Sequence, residues 1–109
     1  MGCKLATMLE LRPVCENCDK PLPPDSTEAM ICSYECTYCR DCVENVLENV
    51  CQNCGGGLTP RPIRPKTAWR PNTSIVHQPA TTKLKQNPVD LAEHAIFAAK
   101  IKLIPPEKR

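Results

Sequence analysis

Eight of the nine cysteines fall in four close pairs: Cys15-x2-Cys18, Cys32-x3-Cys36, Cys39-x2-Cys42 and Cys51-x2-Cys54. Thiolates two or three residues apart both reach one tetrahedral ion, so four such pairs supply two four-cysteine zinc sites with no ligand left over. Cys3 stands outside the pattern. A catalytic zinc keeps an open coordination position and commonly has His or a carboxylate among its ligands. Eight cysteines around two ions leave no such position. His77 and His94 lie outside the cysteine-rich stretch and read as ordinary surface or packing residues. The expected chemistry is structural, with two zinc ions that build a fold, no catalytic residue and no organic cofactor.

Metal is expected because little else can hold this stretch together. The chain has 109 residues, enough for one small module and its appendages. Between Leu9 and Leu58 the apolar residues free to form a core are chiefly Leu11, Val14, Leu22, Met30, Ile31, Val43, Val46, Leu47 and Val50, with Tyr34 and Tyr38. A module of about fifty residues with so small a core needs staples. Zinc contributes roughly 10–16 kcal/mol of apparent binding free energy in small zinc peptides, more than such a core leaves after chain entropy. Disulfides are the competing staple. No apolar run of signal-peptide or membrane-span length occurs, so the expected compartment is the reducing cytoplasm, and an odd cysteine total fits a disulfide framework poorly.

Charge divides the chain near Gly55. Residues Met8–Gly57 carry nine acidic groups against Arg12, Lys20 and Arg40, whereas Thr59–Gln86 carry no acidic group and six basic ones: Arg61, Arg64, Lys66, Arg70, Lys83 and Lys85. The small net charge of +2 thus conceals an acidic module and a basic tail. The tail is proline-rich, and Arg61-Pro62-Ile63-Arg64-Pro65 is expected to be extended, because proline lacks an amide donor and restricts its predecessor. Charge complementarity points to the tail docking on its own module.

Five segments follow: residues 1–7, an extension carrying Cys3; 8–58, the zinc module; 59–87, the proline-rich basic segment; 88–104, an amphipathic helix; and 105–109, a tail. The amino-terminal Met1-Gly2-Cys3-Lys4 looks like an acylation signal, but the pattern requires Ser or Thr where Ala6 stands. Within the module, Cys15–Cys18 and Cys51–Cys54 read as tight knuckles, the second relieved by Gly55-Gly56-Gly57, and residues 29–37 suit a short hairpin. Asp41-Cys42-Val43-Glu44 matches a capping box and opens a helix with Val43, Val46, Leu47 and Val50 on one side. In the last helix Asn87 is the expected N-cap and Pro88 the first helical residue, with Ala92, Ile96, Ala99 and Leu103 along one apolar face. At roughly sixteen residues this helix is too short and too charged to span a bilayer. It is expected to pack on its own module or to pair with a copy of itself over 88–103.

Two divisions of the ligands are open. Sequence neighbours can share an ion, grouping Cys32, Cys36, Cys39 and Cys42 and leaving Cys15, Cys18, Cys51 and Cys54. In a cross-brace, Cys15, Cys18, Cys39 and Cys42 hold one ion and Cys32, Cys36, Cys51 and Cys54 the other. The spacing string resembles that of RING fingers, with cysteine where histidine is common, and this resemblance implies the cross-brace in a small α+β fold of RING or treble-clef style. Met8-Leu9-Glu10-Leu11-Arg12-Pro13, Cys15-Glu16-Asn17-Cys18-Asp19, Ile31-Cys32-Ser33-Tyr34-Glu35-Cys36-Thr37-Tyr38-Cys39, Cys51-Gln52-Asn53-Cys54-Gly55-Gly56 and Arg61-Pro62-Ile63-Arg64-Pro65 resemble a small bacterial family known as domain of unknown function 1272. That resemblance covers about residues 8–65 and implies a cysteine-rich zinc-binding protein of the bacterial cytosol, with no known activity.

Several functions read poorly against these residues. RING ligases place an apolar residue between the first two ligands and a proline inside the last pair, and here those places hold Glu16-Asn17 and Gln52-Asn53. Cys32-x3-Cys36-x2-Cys39 has the iron–sulfur spacing of radical enzymes, but the barrel of about 200 residues those need is absent from a chain this short. A redox switch by oxidation of the thiolates has no specific support. Nucleic-acid binding is the main rival class: Trp69 sits between Lys66 and Arg70, although the acidic module repels phosphate and residues 59–86 alone give weak, salt-sensitive binding. The expected function is a non-enzymatic protein-interaction module with structural zinc.

Overall fold

A computed structural model describes residues 8–109 of the chain. The expected extension 1–7, with Cys3, lies outside the described residues.

The two knuckles are copies of one turn. Asp19 N donates to Cys15 O at 3.0 Å and Gly55 N to Cys51 O at 2.8 Å, while Cys15 N and Cys51 N donate to Lys20 O and Gly56 O, both at 2.9 Å. Each turn needs a left-handed residue just after its second cysteine, supplied by Asp19 at φ 65° and Gly55 at φ 76°. Aspartate is among the side chains that tolerate this region and glycine enters it freely.

Between the knuckles lies a small sheet. Strand β1 (Ala29–Ile31) pairs antiparallel with β2 (Thr37–Cys39), Ala29 opposite Cys39 and Ile31 opposite Thr37. This is the expected hairpin. Strand β3 (Thr59–Pro60) adds to the free side of β1, giving the order β2-β1-β3 and drawing the start of the basic segment into the module's own sheet. Pro60 is tolerated because β3 is an edge strand.

Strand β2 runs directly into helix α1 (Arg40–Cys42), which widens into a π-helical turn over Val43–Leu47 and stops at Glu48 and Asn49, both left-handed. The capping box expected over Asp41–Glu44 does not form. The helix opens two residues earlier, with Cys39 at the cap position and no side-chain cap bond. Arg40 N is already held by Glu28 O at 2.9 Å, so the sheet hands the chain to the helix before Asp41 can act as a cap.

The core contains Leu11, Leu22, Met30, Tyr38, Val43, Leu47 and Val50, as expected, together with Ala29, Leu58, Val89 and six cysteines. Tyr34 departs from expectation. It sits in the turn of the hairpin and is 73% exposed.

Helix α2 spans Leu91–Ala99, shorter than the expected 88–104, and its N-cap is Asp90, whose carboxylate accepts from Glu93 N at 3.1 Å. Asn87 and Pro88 lie outside it because the backbone there is bound to the module: Asn87 N donates to Glu16 O at 2.8 Å and Val89 N to Asn17 Oδ1 at 2.8 Å. The buried face is also not the expected one. His94 and Ala98 are buried, Phe97 and Ile101 half-buried, and Ala92, Ile96, Ala99 and Leu103 face solvent. Contact with Gly55 decides this. A Cβ there would lie 3.3 Å from Ile101 Cδ1 and 3.5 Å from Phe97 Cζ, so the bare knuckle admits the larger side chains, and His94 Nε2 meets Leu47 O at 2.9 Å.

The segment between Pro60 and Leu91 carries no helix or strand and does dock on the module, but its arginines reach carbonyls rather than carboxylates, and the carboxylate of Asp19 is met by Gln86 Nε2 at 2.7 Å instead. Arg61 is buried and donates to three carbonyls: Arg12 O at 2.9 Å, Leu22 O at 3.2 Å and Pro23 O at 2.8 Å. Arg64 donates to Leu9 O and Gln78 O. The planar guanidinium fork suits several carbonyl oxygens at once. Burial lowers the basicity of Arg61. With the tail wrapped round it, the molecule has a radius of gyration of 15.0 Å, against about 13 Å for a compact domain of this length.

Candidate metal centre

The first and third pairs meet. Cys15 and Cys18 from the first knuckle and Cys39 and Cys42 from the β2–α1 junction bring four sulfurs within 4.8 Å of one another. A zinc tetrahedron with Zn–S bonds of about 2.3 Å has S···S edges of about 3.8 Å. The Cys18 and Cys39 sulfurs stand 3.7 Å apart. Asn17 Nδ2 donates to Cys42 Sγ at 3.2 Å, the kind of outer contact that orients a thiolate.

The second and fourth pairs meet in part. Cys32 and Cys36, at the two ends of the hairpin turn, and Cys51, from the second knuckle, form a buried group with sulfurs within 4.8 Å. Cys54 does not join that group. Its thiol is exposed and accepts from Gly56 N at 3.4 Å. Tyr34 N points at Cys32 Sγ at 3.3 Å and Asn53 Nδ2 at Cys36 Sγ at 3.4 Å. All eight described cysteines are free of disulfides. Soft sulfur donors in tetrahedral reach of one another, with amide donors aimed at them, fit a metal-bound thiolate set.

Electrostatics divides the thiols. Burial pushes Cys42 and Cys51 well above the ordinary thiol range, and it raises Cys36 and Cys39 as well. Cys18 moves the other way: the burial that would raise it is outweighed by the Lys20 amide and by the thiols of Cys15, Cys39 and Cys42. Closing either set around a cation therefore requires protons to leave thiols that hold them firmly.

The model of the family described as protein of unknown function, DUF1272, matches residues 8–64. The chain belongs to the DUF1272 family. An uncharacterised protein of Rhizobium meliloti (strain 1021) is 60% identical over 58 residues, covering 53% of this chain and 69% of the relative. No solved structure matches the chain. The DUF1272 match contains both cysteine sets and ends just past β3. The rest of the basic segment and α2 lie beyond it.

In this DUF1272 member the residues between paired cysteines do work that the spacing does not reveal. Glu16 is buried, takes Arg12 Nη1 at 2.7 Å and accepts from Thr37 N at 2.6 Å. Arg12 also binds Glu10 at 2.9 Å, and these carboxylates raise its basicity despite the opposing effect of burial. Gln52 Nε2 donates to Tyr38 Oη at 3.0 Å and to Asn87 O at 2.7 Å. Asn87 Nδ2 reaches Asn53 Oδ1 at 3.3 Å. Together with its amide bond to Glu16 O, these contacts make Asn87 a clasp between the two knuckles. The sequence signal for it was the polar doublet inside each knuckle, Glu16-Asn17 and Gln52-Asn53, where a hydrophobic docking surface would need apolar residues.

Proposed function

We propose that the two cysteine sets each hold one structural zinc ion in a RING-like, treble-clef cross-brace, and that the protein is a non-enzymatic interaction module. The observation that carries this reading is the gathering of Cys15, Cys18, Cys39 and Cys42 on one side and Cys32, Cys36 and Cys51 on the other. Cys54 is assigned as the fourth ligand of the second ion. It is the partner cysteine of Cys51 in a knuckle whose first copy already contributes both of its thiols, and a rotation of its exposed side chain needs no change of core packing. Four thiolates per ion leave no open position for catalysis. Such thiols stay reduced in a cytoplasm-like compartment.

Ligase activity is disfavoured on the same geometry. The strip between the knuckles, where RING ligases receive the conjugating enzyme, is filled by Asn87 and its neighbours. Native mass spectrometry tests the metal assignment, with two zinc ions per chain expected. One ion per folded chain, or iron in place of zinc, overturns it. Chelation is expected to unfold the module, read by loss of circular dichroism.

Nucleic-acid binding has one observation in its favour, the 79% exposure of Trp69 beside Lys66 and Arg70. Arg61 and Arg64, however, are spent on carbonyls, which leaves four of the six tail cations for phosphate. A gel shift of labelled single-stranded RNA at low salt, lost on Trp69→Ala, would favour this second reading.

A further inference from the structure

Where the basic segment folds back on the start of the module it leaves a cavity of about 440 Å³. That volume lies within the range of small-molecule sites, about 300–1,000 Å³. Leu9 and Leu11 line it from the start of the module, and Ile63 and Trp69 line it from the segment. Leu11 is buried, Ile63 is half exposed, and Trp69 keeps most of its indole in solvent. Apolar side chains gathered round an open cavity mark a binding site.

Charge narrows the class of ligand. Arg64 and Arg70 also line the cavity, and among the described residues neither guanidinium has an ion-pair partner. Arg64 is committed to the carbonyls of Gln78 and Leu9, whereas the Arg70 side chain is exposed and, among the described residues, donates to nothing. None of the described residues lining the cavity is acidic, and residues 1–7 contain no acid either. The nearby carboxylates are turned elsewhere: Glu10 binds Arg12 at 2.9 Å, and Asp25 lines a separate cleft with Arg64 and Lys66. Apolar walls strengthen the field of a cation, so a positive edge on such a cavity concentrates an anion there.

We infer that this cavity binds a small aromatic monoanion, an aryl carboxylate or sulfonate, whose ring lies against Trp69 and the aliphatic wall while its charge meets Arg70. An indole offers its face to a second ring, and a guanidinium takes a carboxylate as a two-pronged fork. A nucleotide fits less well, because it would carry polar base edges into an apolar wall and a second charge to one arginine. No cysteine lines the cavity, so the site goes beyond the structural-zinc reading and does not depend on it. Its wall from Trp69 onward lies outside the DUF1272 match, which ends at residue 64.

The chain has a single tryptophan, so one indole N–H resonance reports on the cavity directly. Titrating the zinc-loaded, nitrogen-15-labelled full chain with 2-naphthoate is expected to shift that resonance and the amides around Leu9, Ile63 and Arg70, with a Kd of about 0.1–1 mM for a ligand of about a dozen heavy atoms. The uncharged 2-naphthamide is expected to bind at least about fivefold more weakly. Arg70→Gln should abolish that preference while leaving naphthamide binding within about twofold, and Trp69→Ala should weaken both ligands. Both side chains are exposed, so zinc content and circular dichroism are expected to stay unchanged. Equal affinity for the two ligands overturns the inference, as does a preference that survives Arg70→Gln. Shifts centred on Ile96 and Leu103 of the outer helix, or no saturation by about 5 mM, overturn it as well. AMP binding more tightly than 2-naphthoate also overturns it and favours the nucleic-acid reading. None of these outcomes bears on the zinc count, which stands or falls by mass spectrometry.

Discussion

The buried Glu16 carboxylate holds two donors, the half-buried Arg12 guanidinium and the buried Thr37 amide. Glu16→Ala leaves the Thr37 amide without a partner and Arg12 with Glu10 alone, and an unsatisfied buried donor costs about 1–3 kcal/mol. A fall of about that size in urea-unfolding free energy of the zinc-loaded protein is expected. Lys102→Ala breaks an exposed pair and should change stability by less than about 1 kcal/mol. Arg61→Lys keeps the charge but loses the fork that spans three carbonyls, and should cost about 2 kcal/mol. Apart from Arg12, four residues before Glu16, none of these partners is near in sequence. The cysteines could be picked out because close spacing is itself the requirement for sharing an ion. The roles of Glu16, Gln52 and Arg61 depend on residues that reach them only once the chain has folded back, from Thr37, Asn87 and Leu22.

Helix α2 was legible as a helix from its apolar spacing, yet the same spacing points to the wrong buried face. Apolar periodicity reports which face is hydrophobic, whereas packing selects the face whose shape fits, and here a glycine knuckle takes Phe97 and Ile101. The hairpin and the Val43–Leu47 turn were legible for the opposite reason, since Ala29, Met30, Tyr38, Val43 and Leu47 are both apolar and buried, with Tyr34 and Thr37 the exceptions. The expected cap residues failed at both helices because bonds from other elements had already claimed those positions, Asp90 capping α2 in place of Asn87. Gly55→Ala forces a side chain into the left-handed region and against Ile101, where 3.3 Å is already tight. The expected cost is about 1–2 kcal/mol, concentrated in α2, and amide exchange should show faster protection loss in residues 91–99 than in β1 and β2.

For the molecule as a whole, metal affinity and acidity are linked. Burial raises the thiols of Cys42 and Cys51, so a cation bound there would have to displace their protons. Affinity must therefore rise with pH below the raised thiol range and fall as pH drops, by up to about tenfold per pH unit for each thiol that loses a proton on binding. Chelator competition at mildly acidic and mildly alkaline pH measures this, and equal affinity at both would contradict it. The small α+β architecture places the two cysteine groups, since the knuckles, the hairpin and the β2–α1 junction are where the cysteines sit. The clasp at Asn87 gives the arrangement a further property. Its amide rests on the knuckle of one cysteine set, while its carbonyl and side chain rest on the knuckle of the other. Disturbing either knuckle is therefore expected to loosen the entry to α2, read as faster limited proteolysis near residue 87, so that this one asparagine ties both halves of the module to the helix that follows.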